Sequence, residues 1–185
     1  VNPIPQARLL AAPPPRQPTP LSPRAQDLAD RLPAAVGAMR EAKAGKDATR
    51  AKEREEVDAV VEKLRTRVGP SLKLRFREQG GTPMLISGDR LHGAVPGLAP
   101  GLERDVATVR EFLRTNRKLF ALEDPDGDLT VTKKSRDRLN VAQVRLEQSY
   151  QGIPVWPSEL LVHVDSDGNV HRANGSLIRT PKHLS

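Results

Sequence analysis

Two periodicities divide the chain. Between Lys52 and Val68, the residues Val57, Val60, Val61, Leu64 and Val68 recur at three- and four-residue spacings, which lays one apolar stripe along a helix. Glu53, Glu55 and Glu56 come early, and Lys63, Arg65 and Arg67 late, as the helix dipole favours. Such a stripe suits a coiled-coil seam, but a single amphipathic helix docked on its own domain is the simpler reading. Gly69-Pro70 stops it. From Leu72 the period becomes two. Leu72, Leu74 and Phe76 alternate with Lys73, Arg75 and Arg77, as in a half-buried strand. Gly80-Gly81 reads as a turn and Met84-Leu85-Ile86 as a second strand. Residues 93–101, with Gly93, Pro96, Gly97, Pro100 and Gly101, read as a loop.

Helical spacing returns over 103–120. Val106, Val109, Leu113 and Phe120 fall near one face and Phe112 widens it, so this segment is expected to cover a sheet. Glu123-Asp124-Pro125-Asp126-Gly127-Asp128 reads as a turn. Its alternating aspartates resemble a calcium loop, but glycine falls at the fourth position and no Glu closes the loop. Residues 129–178 read almost wholly as strand and turn. Val144, Leu146, Gln148 and Tyr150 share one face of a strand, and Leu160, Val162 and Val164 share one face of another. Val170 to Ile178 make a third. Several neighbouring strands after a helix predict an α+β fold, an antiparallel sheet with one long helix packed on it.

The turn at Asp165-Ser166-Asp167-Gly168-Asn169 admits two registers. A loop of Asp167-Gly168 alone would oppose Val164 to His171. A loop of Ser166-Asp167-Gly168, with Gly168 left-handed, opposes Val164 to Val170. The second keeps valine with valine and is preferred, since a one-residue slip would turn a side-chain set to the other face. It places His163 opposite His171 on the face of Asp165. Two His and a carboxylate suit a metal, though a half-exposed neutral pair is the commoner arrangement. Two imidazolium ions side by side would give mild pH sensitivity.

Composition narrows the organisation. Eight of the 17 prolines lie in residues 1–23, which predicts a disordered Pro-rich tail there. A charged helical segment is expected over 24–69, the α+β domain over 70–180 and a short tail over 181–185. Hydrophobic residues make up 37% and the aromatics are three Phe, one Trp and one Tyr, so the core is small. The chain carries no cysteine, which excludes a disulfide scaffold, a Cys-ligated zinc and a Cys nucleophile. No apolar run approaches the roughly 20 residues of a membrane span. The chain opens on Val1, so its native N-terminus is expected to be missing, and no signal peptide is visible. The net charge of +7 is spread evenly along the chain. A nucleic-acid groove needs a one-signed patch with stacking aromatics, so no nucleic-acid partner is expected.

Catalytic signatures are missing. There is no H-E-x-x-H helix, no G-x-S-x-G elbow, no phosphate loop and no dinucleotide fingerprint. Four histidines (His92, His163, His171 and His183) supply few bases, and Ser158-Glu159 beside Trp156 lacks a matching His pattern. The segment is read as non-catalytic.

The run from Val144 to Val170, followed by Asn174-Gly175-Ser176-Leu177-Ile178, resembles the fungalysin/thermolysin propeptide domain. That family has a strand ending Gln-x-Tyr-x-Gly-x-Pro-Val, an Asp-x-x-Gly hairpin and an Asn-Gly near its last strand. Gln148, Tyr150, Gly152, Pro154 and Val155 fit the first part, and Asp165, Gly168, Asn174 and Gly175 the rest. The likeness covers 103–180, including the helix with Phe112, Leu113, Leu119 and Phe120. Trp156-Pro157 departs from the pattern, which usually has an aromatic or small residue and then glycine, and the region before 70 lies outside it.

The resemblance implies a cystatin-like fold and a pro-region of a secreted, bacterial zinc metallopeptidase precursor. In that role the segment would be inhibitor and intramolecular chaperone. Its partner would be the cognate metallopeptidase catalytic domain in cis, with zinc expected only in that downstream domain and no cofactor here. The alternative is a stand-alone secreted or envelope protein-binding module with no protease attached. Tyr150 and Trp156, the large amphipathic rings, suit an interface or a core plug; the plug is the preferred reading. Gln148 reads as a backbone clamp to a neighbouring strand.

Overall fold

The computed structural model describes residues 22–77 and 80–180. The tail expected over 1–23 lies outside them except for Ser22 and Pro23. The tail over 181–185, with His183, lies wholly outside. The chain divides into two compact units, Val1–Ala48 and Thr49–Ser185. Helix α1 (Pro23–Val68) begins in the first and ends in the second. In the first unit it is highly charged, with Arg31 paired to Asp27 at 3.2 Å one turn away.

In the second unit the last turns of α1 join the core. Leu64 and Val61 are buried, and Val57, Val60 and Val68 pack partly buried against the same cluster. The stripe therefore docks on its own domain. A short 3-10 turn at Gly69–Ser71 follows, because Pro70 supplies no donor for another α turn.

Strands β1 (Lys73–Arg77), β2 (Gly80–His92), β3 (Leu129–Arg136), β4 (Ala142–Tyr150), β5 (Ile153–Val164) and β6 (Val170–Ser176) form one sheet, ordered β1-β2-β6-β5-β4-β3. Every pairing is antiparallel. The fold is α+β. Gly80 pairs with Arg77 and opens β2, so the Gly80-Gly81 turn read from the sequence is instead the start of a strand.

Helix α2 (Leu102–Thr115) lays Val109, Phe112 and Leu113 into the core, with Glu103 and Asp105 in its first turn and Arg114 in its last. It is shorter than the expected 103–120. The Asn116 amide Nδ2 donates to the Phe112 carbonyl at 2.7 Å and caps the helix there. Leu119 and Phe120 are still buried, and Phe120 meets Phe112 edge to face with centroids 5.8 Å apart. The acidic turn is a one-turn helix, α3 (Pro125–Asp128), because the Asp124 side chain accepts from the Asp126 amide and caps it.

On the core face Ala142, Val144 and Leu146 of β4 meet Leu160, Val162 and Val164 of β5 and Ala173 of β6, all buried. β4 and β5 are joined through Gln151 (φ 50°) and Gly152 (φ 80°), and Tyr150 pairs with Ile153. Two consecutive left-handed residues make the hairpin turn whose twist matches the strands.

Candidate functional site

The family-motif residues assemble around the last strands. Gln148 lies on the core face of β4 and is 3% exposed. Its Nε2 donates to the Ile178 carbonyl at 2.6 Å, and its Oε1 accepts from the Ile178 amide at 2.9 Å. The side chain thus acts as a strand partner for a residue beyond the end of β6. Ser158 Oγ lies 2.6 Å from the same Oε1 and 3.0 Å from the Ser176 carbonyl. The clamp is legible in the sequence, but the contribution of Ser158 is not, since a serine beside a Glu carries no spacing signal.

The β4–β5 ladder explains how Ser158 arrives there. Glu147 pairs with Glu159 and Ser149 with Pro154, so residues 155–158 of β5 bulge opposite Gln148. Pro154 and Trp156 are exposed and Val155 is half-buried. The Trp156–Pro157 peptide is cis. Trp156 is 88% exposed. It is therefore not the core plug preferred from the sequence. Tyr150 is half-buried, with its hydroxyl 3.4 Å from Gln151 Nε2.

Gly175 has no room for a side chain. A Cβ there would fall 2.2 Å from the Glu159 carbonyl oxygen and 2.8 Å from Leu160 Cα. Glycine lets β6 approach β5 to main-chain contact beside Ser158. Asn174 Oδ1 lies 3.2 Å from His163 Nε2.

The β5–β6 turn is organised by Asp165. Its Oδ1 accepts from the amides of Asp167 at 2.9 Å and Asn169 at 2.8 Å. Val164 pairs with Val170 and Gly168 has φ 91°, as the preferred register requires. The next pair differs. His163 opposes Arg172, not His171, because the ladder shifts by one residue between His163 and Val164. The two imidazoles remain neighbours, with centroids 6.0 Å apart. Burial holds His163 below the ordinary imidazole range; the Asn174 hydrogen bond and Asp137 oppose this, while His171 and Arg172 reinforce it. Burial also lowers His171, against Asp165 and together with Arg172.

A second charged cluster lies at the start of α2. Asp105 is fully buried and pairs with Arg136. Burial pushes its carboxyl up, against the pull of Arg136 and Arg104. On the surface, hydrogen bonds from Arg114 and Arg110 hold Asp126 below the usual carboxylate range. Among the described residues no group of three or more His, Asp or Glu is placed to hold a metal ion. Of the residues named from the family pattern, Gln148 pairs with main chain, Gly152, Asp165 and Gly168 shape turns, and Gly175 admits close strand packing. Beside them the β4–β5 hairpin exposes Ile153 and Trp156.

Residues 127–177, from α3 through β6, match the Fungalysin/Thermolysin Propeptide Motif. The family resemblance read from the sequence is found there. The chain is similar to bacillolysin of Bacillus subtilis (strain 168), 33% identical over 69 residues, 37% of this chain and 13% of that protein. It is similar to thermolysin of Bacillus caldolyticus, 31% identical over 104 residues, 56% of this chain and 17% of that protein. It is also similar to the thermostable neutral protease NprT of Geobacillus stearothermophilus, 31% identical over 115 residues, 60% and 20% respectively. The chain spans a fifth or less of the length of these relatives.

Proposed function

We propose that this chain is a non-catalytic pro-region of a secreted thermolysin-like metallopeptidase precursor, and that it keeps the protease latent and assists its folding. The match of residues 127–177 to the propeptide motif carries the reading. The geometry is compatible with it, because the matched residues build a rigid sheet instead of a reacting constellation. A domain of this kind acts by occupying another polypeptide. Binding the native protease better than its unfolded chain stabilises the native form by mass action, about 2.7 kcal/mol at a concentration 100 times Kd. Covering the substrate cleft holds the enzyme latent until proteolysis removes the cover. The partner is the catalytic domain in cis, and the zinc belongs to that domain.

The test is hydrolysis of a short peptide by mature bacillolysin of Bacillus subtilis with the purified chain added. Inhibition at micromolar concentration that is relieved by excess substrate is expected. Undiminished hydrolysis would count against the pro-region reading.

A further inference from the structure

Ile153 is 69% exposed and Trp156, the only tryptophan of the chain, 88%. Phe76 (43%), Met84 (39%) and Ile178 (46%) are also exposed. Scattered apolar residues on a surface need no explanation, but register gathers these. Phe76 pairs with Pro83, Leu85 with Asn174, Glu159 with Ser176, and Ser149 with Pro154. The end of β1, the start of β2, the β4–β5 connection and the residues after β6 therefore share one end of the sheet. The Trp156 ring is held on a short leash. A two-residue turn lies on one side, and Pro154 and Pro157 flank it with fixed φ and no amide donor. An anchor so restrained loses little entropy on docking, and tryptophan is among the residues that carry most interface energy.

The rim is charged asymmetrically. Arg75 and Arg77 flank Phe76 on β1 and are exposed, whereas Arg145 is paired with Glu159 and Arg179 with Glu53, and exposed Glu147 lies on the β4 side. Two exposed cations beside Phe76 select a partner that is acidic opposite β1.

We propose that the tryptophan-tipped end of the sheet is the surface through which this domain docks on a folded partner whose contact patch is apolar at the centre and acidic at the rim facing β1. Resting on the pro-region reading, the partner is the metallopeptidase domain. Trp156 seats in the apolar patch and governs the lifetime of the complex. Arg75 and Arg77 steer its formation.

The test is to label the single tryptophan with fluorotryptophan and titrate the chain with bacillolysin of Bacillus subtilis, following the fluorine NMR line. A saturable shift is expected. Trp156→Ala should raise Kd by about tenfold or more, mainly through faster dissociation, and leave unfolding unchanged because the ring is exposed. Arg75→Glu with Arg77→Glu should slow association at low salt and lose that effect at high salt. Binding of bacillolysin with the line unmoved and Kd unchanged in Trp156→Ala would overturn this surface and leave the pro-region reading standing. A shift that grows with the concentration of the chain alone would assign the surface to a second copy and overturn the proposal. No binding of any kind would defeat the pro-region reading, and this surface with it.

Discussion

Gln148 holds Ile178 at both of its main-chain polar groups, with the side-chain amide 2.6 Å from the carbonyl oxygen and 2.9 Å from the amide nitrogen. A buried side chain substitutes for a strand, and the chain beyond β6 is fixed to the core without a seventh strand to pair with. Gln148→Leu removes both bonds and the acceptor of the Ser158 hydroxyl. Leaving buried groups unpaired should cost about 2–3 kcal/mol, whereas Ser158→Ala should cost about 1 kcal/mol. Urea denaturation of the two variants measures the difference. Equal, negligible losses would show that water replaces the clamp.

Gly175 and Gly152 both lie at positive φ, yet for different reasons. At Gly152 the surroundings are open, so Gly152→Ala meets only the left-handed penalty of about 1–2 kcal/mol. At Gly175 a methyl would overlap the main chain of β5, which cannot yield as a flexible side chain does. Gly175→Ala should therefore destabilise by more than about 3 kcal/mol and part β5 from β6. Thermal unfolding gives the ranking, and amide exchange of Leu160 to Val162 locates the damage.

The His163–His171 pair sets a pH dependence whose sign follows from its surroundings. Both imidazoles are held below their ordinary value in the folded chain. As pH falls past about 6.5 the unfolded chain takes up protons first. The stability these groups allow is thus complete above that pH and is lost as pH drops through their depressed folded values. His92, lowered by burial and Arg67, acts in the same direction. Replacing His163 and His171 by Gln should flatten, but not abolish, the loss between pH 7 and 5, and denaturation at several pH values measures it.

The last turns of α1 are a structural member of the second unit. Leu64 is 1% exposed and Met39 73%. Leu64→Ala should cost about 2–5 kcal/mol, whereas Met39→Ala should stay within about 0.5 kcal/mol. Chemical denaturation distinguishes them.

The strand faces of β1, β4, β5 and β6, the α2 face and the docked stripe were legible in the sequence, because burial on one face imposes a period that single residues report. The Val164–Val170 register was legible for the same reason. What followed it was not. The ladder shift that sets His163 against Arg172 costs no apolar contact, so no periodicity marks it. The end of α2 was hidden because Leu119 and Phe120 remain buried after the helix stops, and only Asn116 signals the stop. Trp156 misled most. Ring size alone favours burial, and the bulge that throws it outward depends on pairing with β4, which is three-dimensional information. Of the family-motif residues, the turn pattern required Gly168 to be left-handed, and Gln148 read as a clamp to a strand where it in fact holds Ile178 beyond β6. The need for glycine at 175 lies in the main chain of another strand.

The proposal is that the chain occupies the working face of a native metallopeptidase. The most direct measurement is binding of immobilised chain to native bacillolysin of Bacillus subtilis, with its cleft empty and again with the cleft filled by a small peptide inhibitor. Binding at micromolar concentration that the inhibitor abolishes is predicted. No binding, or binding that a filled cleft leaves unchanged, would contradict it.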